Sequence, residues 1–130
     1  MITGGCLCGA VRYEVDADRL EHASYCHCTM CRRASGSAFG VSARAPAAKL
    51  RWTGREPKCY RSSKIAVRAF CPDCGSPIYF QYDARPHYYA VAVGSLDDPG
   101  AVKPELHYGI ESHIPWVNID DGLPRRETSS

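Results

Sequence analysis

Ile65-Ala66-Val67-Arg68-Ala69-Phe70 runs without a break into Cys71-Pro72-Asp73-Cys74-Gly75. The first six residues are rich in β-branched and apolar side chains and read as a strand. The next five place two thiols three positions apart and close with glycine, which lets the backbone turn tightly around bound sulfur. A strand that delivers a sulfur pair to a knuckle predicts short strands built around metal sites. The same device occurs earlier, where Cys6-Leu7-Cys8-Gly9 leads into Val11-Arg12-Tyr13-Glu14-Val15, an alternating half-buried strand.

Working outward, Cys59–Ser62 and Ile65–Phe70 form a hairpin around Ser63-Lys64, and Ile78–Tyr82 follows the second knuckle as another strand. Tyr88-Tyr89-Ala90-Val91-Ala92-Val93 is the strongest β signal. Ala38–Ala43, Leu50–Thr53, Glu105–Tyr108 and Trp116–Ile119 are further strands, and Asp16–His22 reads as a polar connection. Thr29–Ser35 is the one helical stretch, ended by Gly36. Many short strands with Gly/Pro punctuation predict a mostly β domain of antiparallel strands. The 130 residues predict a single domain over 1–124, followed by a polar tail at 125–130.

The chain holds eight cysteines. An even count in a secreted protein suggests disulfides. Here the N-terminal residues lack a basic segment followed by an apolar run, and no stretch is apolar enough to span a membrane. The expectation is therefore a cytoplasmic protein whose clustered thiols hold metal. The formal charge of +2 falls to about −1 if seven thiolates hold two zinc ions, so nothing favours nucleic acid as a partner.

Seven cysteines form three groups: Cys6/Cys8, Cys71/Cys74, and the dense run Cys26-His27-Cys28-Thr29-Met30-Cys31. The two pairs together make a closed tetrahedral zinc site, leaving Cys26, Cys28 and Cys31 one ligand short. The other grouping joins one pair to the triplet and leaves two thiols free. A four-sulfur site is structural, whereas a vacancy marks a site that takes water or substrate. Three thiolates on zinc carry a net negative charge, which suits activation of an incoming thiol better than activation of water.

Other residues carry weaker signals. His27 lies between two candidate ligands and is expected to point away as a supporting residue, with ligation or proton shuttling as the other reading. Arg32 and Arg33 either balance the triplet's charge and hold a substrate carboxylate, or lie on the solvated surface. Phe39, Tyr88, Tyr89 and Trp116 are expected in the core rather than in a pocket, and His107 and His113 are structural or exposed. Ser76 is expected as a turn residue. Cys59, without a partner in the sequence, is expected to be a buried small hydrophobe.

The motifs Gly5-Cys6-Leu7-Cys8-Gly9, Cys26-His27-Cys28-x-x-Cys31-Arg32 and Phe70-Cys71-x-x-Cys74-Gly75-Ser76, with Gly94-Ser95-Leu96-Asp97-Asp98 and Glu111-Ser112 to Pro115-Trp116, resemble the glutathione-dependent formaldehyde-activating family. The resemblance implies a β-tent fold like that of the methionine-R-sulfoxide reductases. It implies two Zn²⁺ per chain, a structural ion on Cys6, Cys8, Cys71 and Cys74 and a catalytic one on Cys26, Cys28 and Cys31. It implies a carbon–sulfur lyase that forms S-(hydroxymethyl)glutathione from glutathione and formaldehyde. A non-catalytic zinc-binding module for protein interaction is the alternative.

Overall fold

A computed structural model describes residues 1–128. Its strands are β1 (Ile2–Gly5), β2 (Arg12–Val15), β3 (Glu21–Cys26), β4 (Gly40–Pro46), β5 (Leu50–Trp52), β6 (Lys58–Arg61), β7 (Ala66–Phe70), β8 (Pro77–Tyr82), β9 (Tyr88–Ala92), β10 (Leu106–Tyr108) and β11 (Arg125–Arg126). One short helix, α1 (Thr29–Ser35), lies between β3 and β4. The strands form a three-stranded sheet ordered β1-β2-β5 and an eight-stranded sheet ordered β11-β10-β3-β4-β9-β8-β7-β6. The mostly β reading of the sequence is the fold found.

The core lies where the small sheet meets the middle of the large one. Tyr13 and Val15 of β2 are fully buried, as are Ala43 and Ala45 of β4, Ile78 of β8 and Val91 of β9. The period-two alternation of β2 puts Tyr13 and Val15 inward and leaves Arg12 and Glu14 partly exposed. Tyr13 donates its phenolic proton to Ser95 Oγ at 2.6 Å, because Ser95 Oγ itself donates to the Ala92 carbonyl. That hydroxyl therefore enters the core with its hydrogen bond satisfied. Cys71 is also fully buried among these residues, so one metal-ligand candidate belongs to the core itself.

Four sequence expectations change. Glu21–Cys26 is a strand, although its start reads as a connection. His22 takes a positive φ of 53°, and the register shifts between Glu21 and Ser24, so this strand begins in a bulge that breaks alternation. The strands are not all antiparallel, because β10 runs parallel to both β3 and β11. Arg125 and Arg126, read as the start of a tail, form β11 and occupy the edge beside β10. Trp116–Ile119 is not a strand: with that edge taken, the segment turns back, Val117 N–H bonding the Ile114 carbonyl. The tail residues Ser129 and Ser130 lie outside the described residues. Among the described residues, no helix is long and apolar enough to cross a membrane.

Candidate metal centres

Two turns bring the first four sulfurs together. Cys6 and Cys8 follow β1 in a turn closed by Gly9 N–H to the Cys6 carbonyl. Cys71 directly follows β7, and Gly75 N–H closes the Cys71–Cys74 turn on the Cys71 carbonyl. The two knuckles also hold each other, since Leu7 N–H donates to Ser76 Oγ at 3.0 Å. Ser76, expected only as a turn residue, thus spans both. The Sγ atoms of Cys6, Cys8, Cys71 and Cys74 all lie within 4.8 Å of one another. Cys6–Cys8 is 3.6 Å and Cys8–Cys71 is 3.8 Å. Sulfurs bound at about 2.3 Å to one tetrahedral zinc lie about 3.8 Å apart, whereas a disulfide needs about 2.05 Å. The spacing therefore fits a tetrahedral metal.

Amide groups in this cluster already favour thiolates. Val11 N–H points at Cys6 Sγ at 3.2 Å and Asp73 N–H at Cys71 Sγ at 3.4 Å. The Ser76 hydroxyl and amide draw Cys74 down to about 5. The Ala10 amide also favours the Cys8 thiolate, but the Cys6 sulfur and burial push Cys8 up to about 12. Negative charges crowded this closely oppose one another until a cation joins them.

The triplet sits where β3 hands over to α1. Cys26 is the last residue of β3, Cys28 is the N-cap of α1, and Cys31 lies in its first turn. Cys31 N–H donates to Cys28 Sγ at 3.3 Å, so a thiol fills the capping role usually taken by Ser or Asp. The three Sγ atoms lie within 4.8 Å of one another, and no other Cys, His, Asp or Glu of the described residues joins them. The Cys26 thiol draws Cys31 down to about 5 against the cost of burial, with help from Arg68. Cys26 is pushed up by the Cys31 sulfur and by burial. Arg68 reaches in from β7, its Nη2 donating to Cys31 Sγ at 3.5 Å.

His27 is buried and is not one of the grouped ligands. Its Nε2 lies 2.8 Å from His107 Nδ1, and His107 Nε2 lies 2.8 Å from Asp121 Oδ2. Ionised Asp121 can only accept, so His107 donates from Nε2 and accepts at Nδ1 from His27 Nε2–H. His27 Nδ1 is left as a bare lone pair without a partner. Tyr25 stacks on the His107 ring at 4.5 Å, and Phe39 tilts against His27 at 5.5 Å. His113 packs edge-on to His27 and bonds the Val117 carbonyl. Across the segment, Gly109 adopts φ +70°, and a Cβ there would meet Cys28 N at 2.8 Å.

The structure brings the seven cysteines together in two groups, four and three, as the sequence reading groups them. That reading misses Arg68 and the His107–Asp121 pair, because no local spacing connects these positions to the triplet. Phe39 packs beside His27, and Tyr88 is buried. Trp116 instead stands 73% exposed and lines a shallow groove with Arg32, Arg33 and Ile114. Cys59, expected in the core, is exposed on edge strand β6, with its Sγ 3.3 Å from Tyr79 Oη.

Residues 1–112 match the family model described as glutathione-dependent formaldehyde-activating enzyme. The chain belongs to this family. A Halomonas elongata protein provisionally named a glutathione-dependent formaldehyde-activating enzyme is 27% identical over 129 residues, covering 92% of this chain and 82% of that protein. An uncharacterized lyase of Schizosaccharomyces pombe is 33% identical over 82 residues, covering 61% of this chain and 56% of that protein. The fold resembles the crystal structure of a Rhodobacter sphaeroides protein, with TM-score 0.59 and 26% identity over 95% of this chain and 98% of that one. In this member of the family, the two sulfur clusters could each hold a metal ion.

Proposed function

We propose that the chain is a zinc-dependent carbon–sulfur lyase in which a thiol held at Cys26, Cys28 and Cys31 adds to a small aldehyde. Glutathione and formaldehyde, named in the family's description, are the proposed pair. Cys6, Cys8, Cys71 and Cys74 are the proposed ligands of a second, structural zinc. The reading rests on one observation above all: three sulfurs converge with no fourth protein ligand beside them among the described residues. Zinc held there supplies an open position at which a thiol binds and is favoured as thiolate.

The chain's own residues shape that position. The α1 amide at Cys31 and the Arg68 guanidinium hold two of the sulfurs by hydrogen bonds. The Asp121–His107–His27 chain anchors the His27 side chain, so the Cys26–Cys28 segment cannot swing without breaking the buried His27–His107 hydrogen bond. Much of the rate gain is positional, because two reactants meet in one place instead of in solution. The cytoplasm, where thiols stay reduced, is the proposed setting.

The test mixes ¹³C-formaldehyde with glutathione and follows S-(hydroxymethyl)glutathione by NMR exchange spectroscopy. Zinc-loaded protein should speed formation and breakdown of the adduct above the uncatalysed rates, and Cys28→Ser should remove the effect. Rates equal to the uncatalysed ones in fully loaded protein would overturn the proposal.

A further inference from the structure

Arg68 is an arginine without a carboxylate. Arg12, Arg51, Arg55 and Arg61 each pair with an acidic side chain, but Arg68 takes part in none of the ion pairs among the described residues. It is half-buried on β7, between Tyr60 of β6 and Phe80 of β8. Burying part of a cation costs free energy, and a negative partner offsets some of that cost. Its hydrogen-bond partner is Cys31 Sγ, 3.5 Å from Nη2. Its guanidinium carbon lies 4.8 Å from the centroid of the Phe80 ring, which limits how the group can swing. The strand that carries it ends at Phe70, and Cys71, a ligand candidate of the other centre, follows directly. Among the described residues, none of the Arg68 nitrogens is fully buried without a partner.

We infer that Arg68 is a catalytic residue that stabilises the oxygen of the aldehyde as it becomes an alkoxide, an inference that rests on the thiol-addition reading above. In the step, the thiolate sulfur forms a bond to the carbonyl carbon, and the C=O π pair moves onto oxygen. That oxygen lies two bonds from the attacking sulfur, so a cation touching the sulfur cluster is well placed to meet it. Arg68 donates hydrogen bonds to the alkoxide and keeps its own protons. The alkoxide takes one proton from water, matching the proton the thiol released, so RSH and CH₂O become RSCH₂OH with no oxidant or reductant. In the reverse direction the same group receives the alkoxide before the C–S bond breaks. A carboxylate partner would neutralise Arg68 in advance, and the triplet's negative charge draws it in without capping its other donors.

The experiment uses Arg68→Gln and Arg68→Lys in the full chain, each first checked for two bound metals and a wild-type circular dichroism spectrum. Two readouts follow. The first is turnover at saturating glutathione, and the second is glutathione affinity, read from the absorption of protein cobalt-loaded at the triplet. Loss of a preorganised donor to a developing oxyanion should lower kcat by about 10²–10³-fold. Arg68→Lys, which keeps the charge, should recover part of this. Glutathione affinity should stay near wild type in both. Wild-type kcat in Arg68→Gln would overturn the inference, as would a loss confined to glutathione affinity. If wild-type protein neither changes its cobalt spectrum with glutathione nor accelerates the reaction, the thiol-addition reading falls and takes the inference with it. Normal thiol binding with an unaltered Arg68→Gln rate removes the role of Arg68 alone.

Discussion

Gly109→Ala perturbs the triplet from outside it. Gly109 has φ +70°, and an added Cβ would lie 2.8 Å from Cys28 N, 3.1 Å from Cys28 Cβ and 3.2 Å from Cys28 Cα. The left-handed backbone costs an alanine about 1–2 kcal/mol. Forcing a methyl against a packed segment costs about 1–3 kcal/mol more. Gly36→Ala is the matched control, because φ is +71° and nothing lies within 4 Å of its Cβ. The backbone cost is then common to both variants, and the difference isolates the collision with Cys28. At about 4 °C per kcal/mol for a domain of this size, Gly109→Ala should melt about 4–12 °C below Gly36→Ala. Relaxation of the clash must move Cys28, so the variant should also bind the triplet metal more weakly while keeping the four-cysteine metal. Thermal denaturation and metal content after dialysis against a mild chelator read both effects. Equal melting points with equal retention of both metals would refute the reasoning.

The remaining expectations concern the other centre and acid stability. Cys71→Ser removes a fully buried ligand from the proposed structural site. Binding at such a site is worth about 10–16 kcal/mol, comparable with a whole domain's stability, so the variant should be insoluble or unfolded. A well-folded Cys71→Ser protein that keeps two metals would contradict the assignment. Burial, with His107 and His113 nearby, holds the His27 imidazole below its ordinary value. The unfolded chain therefore binds a proton that the native state resists, and stability is present above about pH 6.5 and declines as pH falls below it. The urea midpoint should drop between pH 7 and pH 5.5 by less in His27→Phe than in wild type. Equal drops would remove His27 as the cause.

What the sequence shows plainly is what local chemistry dictates. The Ile65–Cys74 run reads correctly because strand propensity and knuckle spacing are short-range. The pairing of Cys6 and Cys8 with Cys71 and Cys74 crosses the chain, yet tetrahedral sulfur chemistry makes it countable. Other contacts have no such rule. Cys31 meets Arg68 across 37 residues, and His27 meets His107 across 80. His27 and His107 join because β10 pairs in parallel with β3, a register that nothing in either short strand announces. The start of β3 is hidden by its bulge at His22, and β1, Ile2-Thr3-Gly4-Gly5, is too rich in glycine to show alternation. Cys59 shows the limit of reasoning from residue type alone, since β6 lies at the edge of the sheet with all four residues exposed.

The open position proposed for the triplet is tested most directly by loading the protein with cobalt and titrating glutathione. The expected result is two metals per chain, with sulfur-to-cobalt charge-transfer bands that change as one thiol equivalent binds at Cys26, Cys28 and Cys31. Two metals with spectra that no small thiol alters would contradict it.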